Sequence, residues 1–190
     1  MYELTREDQL ADMLRRCGIP LRDGMSRQQL EQAQQRYEVR FPPDYAQILA
    51  SFVPGGQRFY NWDDESPENI TMIKRALDWP TESILFDVEN NGFWRPDWGE
   101  RPAQMEDALH VAGCYLEDAP ELIPIRGHRY LPSKPFESDN PVLSVYQTDI
   151  IYYGSNLFEF FAVELGVKPH KDICFAKIKR GIPFWGWFLE

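Results

Sequence analysis

The sequence predicts an α+β fold in which N-terminal helices precede an antiparallel sheet and a C-terminal helix packs on that sheet. Apolar residues recur at helical spacing through the first third of the chain, β-branched and aromatic runs mark residues 122–153, and an apolar helical segment follows. Because the helices come before the strands and do not alternate with them, an antiparallel sheet is favoured over a parallel one.

The length of 190 residues is sufficient for one hydrophobic core, and we predict a single domain over residues 1–190. Hydrophobic residues make up 43% and charged residues 26% of the chain, as in ordinary globular proteins. The longest apolar stretches fall far short of the roughly 20 residues of a membrane-spanning helix. The first residues show no basic region followed by an apolar one. We therefore expect a cytoplasmic protein without membrane contact.

Helix starts are marked by capping residues. Thr5 is placed to cap a first helix, and Ser26 with Gln29 forms a capping-box pattern at the start of a second. The prolines at 42–43 suit the first turn of a third helix, and Ser66 followed by a proline indicates a fourth. The N-terminal part is thus predicted to be helical.

The second half changes to strand-forming residues. Three segments are predicted strands: 122–125, 142–145 and 150–153. The last two form a hairpin around residues 147–149, and Asn156 caps a mostly buried helix that Gly166 ends. A further strand is predicted over 58–62 and a short helix over 102–112.

The cysteines favour a reducing compartment. Cys17, Cys114 and Cys174 are odd in number and widely spaced, which suits reduced, buried thiols and no structural disulfide. His110 precedes Cys114 by four residues and gives half of a metal site, but no second pair of ligands follows.

Two residues are candidates for catalytic chemistry. His128 follows an apolar strand, where a general base can lie, but no nucleophile is indicated beside it. Asp149 fits the role of a turn residue. The chain has no phosphate-binding glycine loop, dinucleotide fingerprint, zinc-binding cysteine pair or nucleophile elbow. We therefore predict a protein that is not an enzyme and uses no cofactor or metal.

Acidic residues are concentrated in the middle third of the chain. The formal net charge is −10, and residues 63–121 contain 15 acidic and 4 basic side chains. Binding to nucleic acid needs a basic face that neutralises phosphates, so this class of partner is excluded. A protein with a basic face is the predicted partner.

Aromatic residues among these carboxylates define the candidate partner-binding surface. It comprises nine residues: Trp62, Asp63, Asp64, Glu65, Asp87, Glu89, Trp94, Asp97 and Trp98. The aromatic side chains would supply desolvated contacts, while the carboxylates would speed the encounter with a basic partner and orient it. Two alternatives stay open: the tryptophans belong to the core and the acids only solvate the surface, or three carboxylates bind a cation.

Short strings with a characteristic order run along most of the chain. They occupy residues 39–45, 55–56, 93–94, 97–99, 119–130, 140–142, 144–145 and 149–154. Together they resemble the SUKH superfamily, which includes fungal cell-wall-synthesis regulators and bacterial toxin-immunity proteins. Two features depart from the family pattern. Glu38 stands where the family often has glycine, which suggests a different helix end, and residues 168–190 form a C-terminal extension that the resemblance does not cover.

The resemblance implies a SUKH-like α+β fold and protein binding without catalysis, and it brings no catalytic residues with it. The leading hypothesis is an immunity protein that neutralises a cognate bacterial toxin by covering its active site or another essential surface. The toxin domain would present a basic face to the acidic middle third. The alternative is a scaffold or regulatory protein that binds cellular proteins.

Overall fold

An antiparallel sheet with helices on both faces dominates the computed structural model, which describes residues 5–56, 58–178 and 181–189. The other residues of the predicted domain, 1–4, 57, 179–180 and 190, lie outside the described residues. The predicted α+β fold class is confirmed.

Six α-helices occur within the described residues: α1 (Arg6–Arg16), α2 (Arg27–Tyr37), α3 (Pro43–Ser51), α4 (Pro67–Asn90), α5 (Met105–Glu117) and α6 (Leu157–Glu164). The strands are β1 (Leu21–Asp23), β2 (Phe52–Pro54), β3 (Leu122–Arg126), β4 (Arg129–Pro132), β5 (Val142–Tyr146) and β6 (Asp149–Gly154). Strands β1 and β2 form a small antiparallel pair, and the main sheet has the order β3-β4-β5-β6. Short 3₁₀ helices cover Pro96–Trp98, His170–Asp172, Phe175–Lys177 and Trp185–Leu189.

The predicted helix starts are confirmed. Thr5 and Ser26 both form capping boxes at the starts of α1 and α2. Pro43 is the first residue of α3, and the Ser66 side chain accepts a hydrogen bond from the Asn69 backbone N–H at the start of α4. The local sequence thus determines where these helices begin.

Two local predictions are wrong. Residues 58–62 do not form a strand, because Phe59 makes only an isolated bridge to Arg126 of β3. The prediction that Glu38 changes the end of α2 is also wrong. Glu38 adopts the left-handed conformation, with φ 55°, that glycine usually adopts at a helix end. This conformation is strained for a residue with a side chain, but the backbone turn before α3 requires the left-handed conformation.

Alternate residues of the sheet enter two separate hydrophobic cores. Ile123 and Leu131 face the first core, which they share with α1, α2, α3, α6 and the N-terminal half of α4. Leu122 and Tyr130 face the second core, which lies under α4, α5 and the C-terminal 3₁₀ helix. As predicted, α6 packs on the sheet, where it contacts β6.

Helix α4 contains a proline that Tyr130 accommodates. Pro80 has no N–H, so the Ala76 carbonyl four residues earlier loses its helical donor. The Tyr130 hydroxyl donates a hydrogen bond of 2.9 Å to this carbonyl from the sheet below. A buried carbonyl without a donor is destabilising, so this bond joins the middle of α4 to β4.

We expect Tyr130→Phe to lower the free energy of unfolding by roughly 1–3 kcal/mol, because it leaves the buried Ala76 carbonyl without a donor. In a Pro80→Ala background the new backbone N–H can donate to this carbonyl, so the same substitution should then cost less than about 1 kcal/mol. Urea unfolding of the four proteins measures both losses. Equal losses in the two backgrounds would contradict this account.

The first part of the C-terminal extension is attached to α6 through Glu159. This carboxylate pairs with Lys168 and accepts hydrogen bonds from the backbone N–H groups of Ser155, at 2.8 Å, and Cys174, at 3.3 Å. Burial acts to raise the pKa of Glu159, but the hydrogen bonds from Lys168 and Ser155 outweigh it and lower the pKa to about 2.

A group with a lowered pKa in the folded state stabilises the protein above the pKa of the unfolded chain, and this stabilisation is lost as the pH falls. For Glu159 it should be complete above about pH 4.5 and decrease toward pH 2. Glu159→Gln should cost roughly 1–3 kcal/mol at pH 7 and progressively less toward pH 2. Urea unfolding from pH 7 to pH 2.5 tests this, with exposed Glu31→Gln as control. An unchanged difference between wild type and Glu159→Gln across this range would contradict the assignment.

Candidate partner-binding surface

Trp62 lies in the first core and not on the surface. Its ring is fully buried and packs edge to face against Tyr37 and Phe41, with centroid distances of 5.4 and 4.9 Å. The indole N–H donates a hydrogen bond of 2.9 Å to the Tyr45 hydroxyl. The prediction that Trp62 anchors a partner is therefore wrong, because the folded chain already covers it.

The three acids after Trp62 organise a loop. Both oxygens of Asp63 accept hydrogen bonds of 2.8 Å from Arg22. Hydrogen bonding to Arg22 is the main cause of the lowered pKa of Asp63. Asp64 accepts a bond of 2.8 Å from the Ser66 backbone N–H. Glu65 pairs with Arg36 of α2. Arginines from β1 and α2 thus neutralise two of the three charges that were predicted to attract a partner.

The second aromatic segment is also mostly internal. Trp98 is 4% exposed and lies in the second core, where it stacks on Tyr115 and packs edge to face with Phe93 and Trp94. The prediction that Trp98 anchors a partner is corrected for the same reason as that for Trp62. Trp94 is half-buried, and its indole N–H donates to the Gly99 carbonyl at 2.8 Å.

Asp97 balances a buried arginine beside these rings. Its carboxylate accepts hydrogen bonds of 2.9 and 2.6 Å from Arg95. Hydrogen bonding to Arg95 is the main cause of the lowered pKa of Asp97. The Arg95 guanidinium also lies 4.6 Å from the Phe184 ring and 4.8 Å from the Trp187 ring. This part of the predicted surface therefore holds the end of the C-terminal extension in place.

Asp87 is a buried positioning residue. It is 3% exposed, and its Oδ2 accepts hydrogen bonds from the Thr148 backbone N–H at 2.9 Å and from the Thr148 hydroxyl at 2.6 Å. Asn91 donates to the other oxygen. Burial acts to raise the pKa of Asp87, but these hydrogen bonds outweigh it and lower the pKa below its usual range. The predicted contact of Asp87 with a partner is thus wrong, and the carboxylate joins α4 to the β5–β6 turn.

Glu89 is the one residue of the nine that is exposed and, within the described part of the chain, has no ion pair. More carboxylates of this kind lie on the outer sides of α4 and α5, which pack against each other, and at the residue directly after α5. We call the following residues the acidic layer: Asp78, Glu82, Glu89, Glu106, Asp107, Glu117 and Asp118. The negative charge of the middle third that no ion pair neutralises is therefore exposed to solvent mainly on these two helices.

An exposed apolar row that sequence reasoning missed runs along α4. Met72, Trp79 and Phe86 recur every seven residues, so they lie on one side of the helix two turns apart, and Tyr146 of β5 lies beside Trp79. We call these four residues the α4 row. The seven-residue spacing is visible in the sequence, but it becomes a surface only when the helix is continued through Pro80.

The residues considered for catalysis and metal binding do not come together in one site within the described part of the chain. His128 is half-buried, and its pKa is lowered by burial and by the neighbouring Arg129 charge. Among the described residues no three His, Cys, Asp or Glu side chains are grouped to hold a metal ion. Cys17 and Cys114 are exposed free thiols, so their predicted burial is wrong; on α5 the buried side is occupied by smaller and apolar residues such as Ala112.

None of the helices in the described ranges combines the length and apolar character that a membrane crossing requires. Comparisons of the chain with protein-family models, curated proteins and solved structures find no match. The resemblance to the SUKH superfamily therefore stays a prediction.

Asp87→Asn should lower the free energy of unfolding by roughly 1–3 kcal/mol, because an amide cannot accept all the hydrogen bonds that Thr148 and Asn91 donate. Exchange of the Thr148 amide hydrogen should become faster. The matched control is exposed Glu89→Gln on the same helix, which should change stability by less than about 0.5 kcal/mol. Unchanged protection of the Thr148 amide in Asp87→Asn would contradict the positioning role.

Proposed function

We propose that this protein is a non-catalytic protein-binding domain that neutralises a cognate bacterial toxin by direct binding. The observation that carries the proposal is the acidic layer, whose carboxylates are exposed and have no ion pairs within the described residues. These seven carboxylates outnumber the two exposed basic residues of the same helices, Lys74 and Arg75, and such an excess of negative charge attracts a surface of opposite sign. Many toxins that degrade nucleic acid have a basic substrate cleft, which such a layer would cover.

The charge also argues for a protein as the partner. The acidic layer repels phosphate groups, so nucleic acid is a poor ligand for it. Proteins associate faster and in a defined orientation when their facing potentials are complementary. The exposed free thiols of Cys17 and Cys114 suit the reducing cytoplasm, where we place the interaction.

The experiment is co-expression with the product of an adjacent toxin-like gene. We expect cell growth to be restored and a stoichiometric complex to be recovered. Glu106→Lys with Asp107→Lys should slow association about tenfold or more at low salt and weaken its salt dependence, because both carboxylates lie in the acidic layer. The double variant should stay folded with a loss of roughly 1–2 kcal/mol, because both residues are exposed but lie in the first turn of α5, where a positive charge opposes the helix dipole.

The matched control is Asp12→Lys with Glu31→Lys. It changes the net charge by the same amount on α1 and α2, away from the acidic layer, at side chains that are 48% (Asp12) and 60% (Glu31) exposed. Equal slowing by this control would show that net charge alone acts. Continued toxicity without a complex would overturn the proposed function, and recovery of several moderate cellular partners would favour a scaffold protein.

A further inference from the structure

The α4 row exposes more apolar surface than isolated surface residues usually do. Its four residues are 43% (Met72), 37% (Trp79), 48% (Phe86) and 59% (Tyr146) exposed. Contiguous exposed aromatic groups mark interaction surfaces in soluble proteins. A depression of about 270 Å³ lies next to the row, between Met72, Trp79 and His128, and offers space for a side chain of a partner.

The row is held rigidly in place. Three of its residues lie on one helix, and the Trp79 indole N–H donates to the Val145 carbonyl at 3.4 Å while its ring contacts Tyr146. Asp87, one residue after Phe86, binds Thr148 in the turn that follows Tyr146. Because helix and hairpin are joined on both sides of the row, binding would require little ordering of these aromatic groups.

Unpaired carboxylates border the C-terminal half of the row. Glu82 and Glu89 flank Phe86 on α4, and Asp149 lies opposite Tyr146 in the β5–β6 hairpin. All three are exposed and have no ion pair within the part of the chain that the structure describes. The basic residue beside the row, Arg75, lies at the Met72 end, where it lines the same depression. The Phe86 end therefore suits an apolar group surrounded by Lys or Arg side chains.

We propose that the α4 row is the docking surface for a basic-faced partner protein, with Trp79, Phe86 and Tyr146 as the anchors. This inference rests on the proposed function and names the place of contact. A second copy of the chain fits poorly at this end, since a two-fold contact centred on Phe86 would bring the Glu82 and Glu89 carboxylates of both copies together. An anionic membrane surface would be repelled by the same carboxylates.

The first test uses a synthetic amphipathic helix of Leu and Lys as the probe, with a helix of Leu and Glu as its control. NMR titration should shift the amide signals of α4 and the β5–β6 turn with the Lys helix only. Phe86→Ser should weaken binding about tenfold or more, because truncation of a hot-spot aromatic group has effects of this size. Phe175→Ser, a 50% exposed phenylalanine on another surface, should leave binding unchanged.

Three results would overturn the docking surface: shifts that map elsewhere, equal binding of the Glu helix, or self-association that depends on Phe86. A photo-crosslinking residue at position 86, with position 175 as control, then tests the co-expressed toxin. Crosslinking at 86 supports the inference, whereas a toxin complex that crosslinks only at 175 overturns it and leaves the proposed function standing. If no toxin binds but the Lys helix maps to the row, the proposed function fails and the docking surface stands.

Discussion

The proline in the middle of α4 imposes the constraint on which this side of the molecule depends. Pro80 leaves the Ala76 carbonyl without its helical donor, and Tyr130 supplies a donor from the sheet. Near the C-terminal end of α4, Asp87 accepts two hydrogen bonds from Thr148 in the β5–β6 turn. Polar contacts at two points along α4 therefore fix its position on the strands, where apolar packing alone would leave the helix free to slide or rotate by small amounts.

The charges of the middle third divide into two groups that differ in what they can do. Asp63 and Asp97 are satisfied by Arg22 and Arg95, so they fix loops and attract little from solvent. The acidic layer has no such arginines within the described ranges, and its charge extends into the solvent. Both groups lie within the acidic segment of residues 63–121, so their place in the sequence does not distinguish them. Only the three-dimensional positions of the arginines separate them.

Local signals in the sequence predict the fold better than the surface. Thr5 and Ser26 mark helix starts because a cap is an interaction between residues three apart, and the hairpin of β5 and β6 follows from strand residues close in sequence. Burial of Trp62 and Trp98 depends on Tyr45 of α3 and Tyr115 of α5, which are distant from them in the sequence. Strand β4 is short and follows a tight turn, so alternation does not reveal it. Fold class is thus accessible from pattern, whereas exposure of a given aromatic residue is not.

The α4 row shows why the same residue types give opposite outcomes at different positions. Trp62 and Trp98 lie in irregular segments that turn inward, so neighbouring elements enclose their rings. Trp79 and Phe86 lie on a helix whose inner side is already filled by residues such as Ile84 and Val88, so the helical period turns them outward. An aromatic group beside a carboxylate in sequence therefore says little about binding. An aromatic group on the outer side of a fixed helix, beside carboxylates that no arginine in the described part of the chain neutralises, retains both its apolar area and its charged border for a partner.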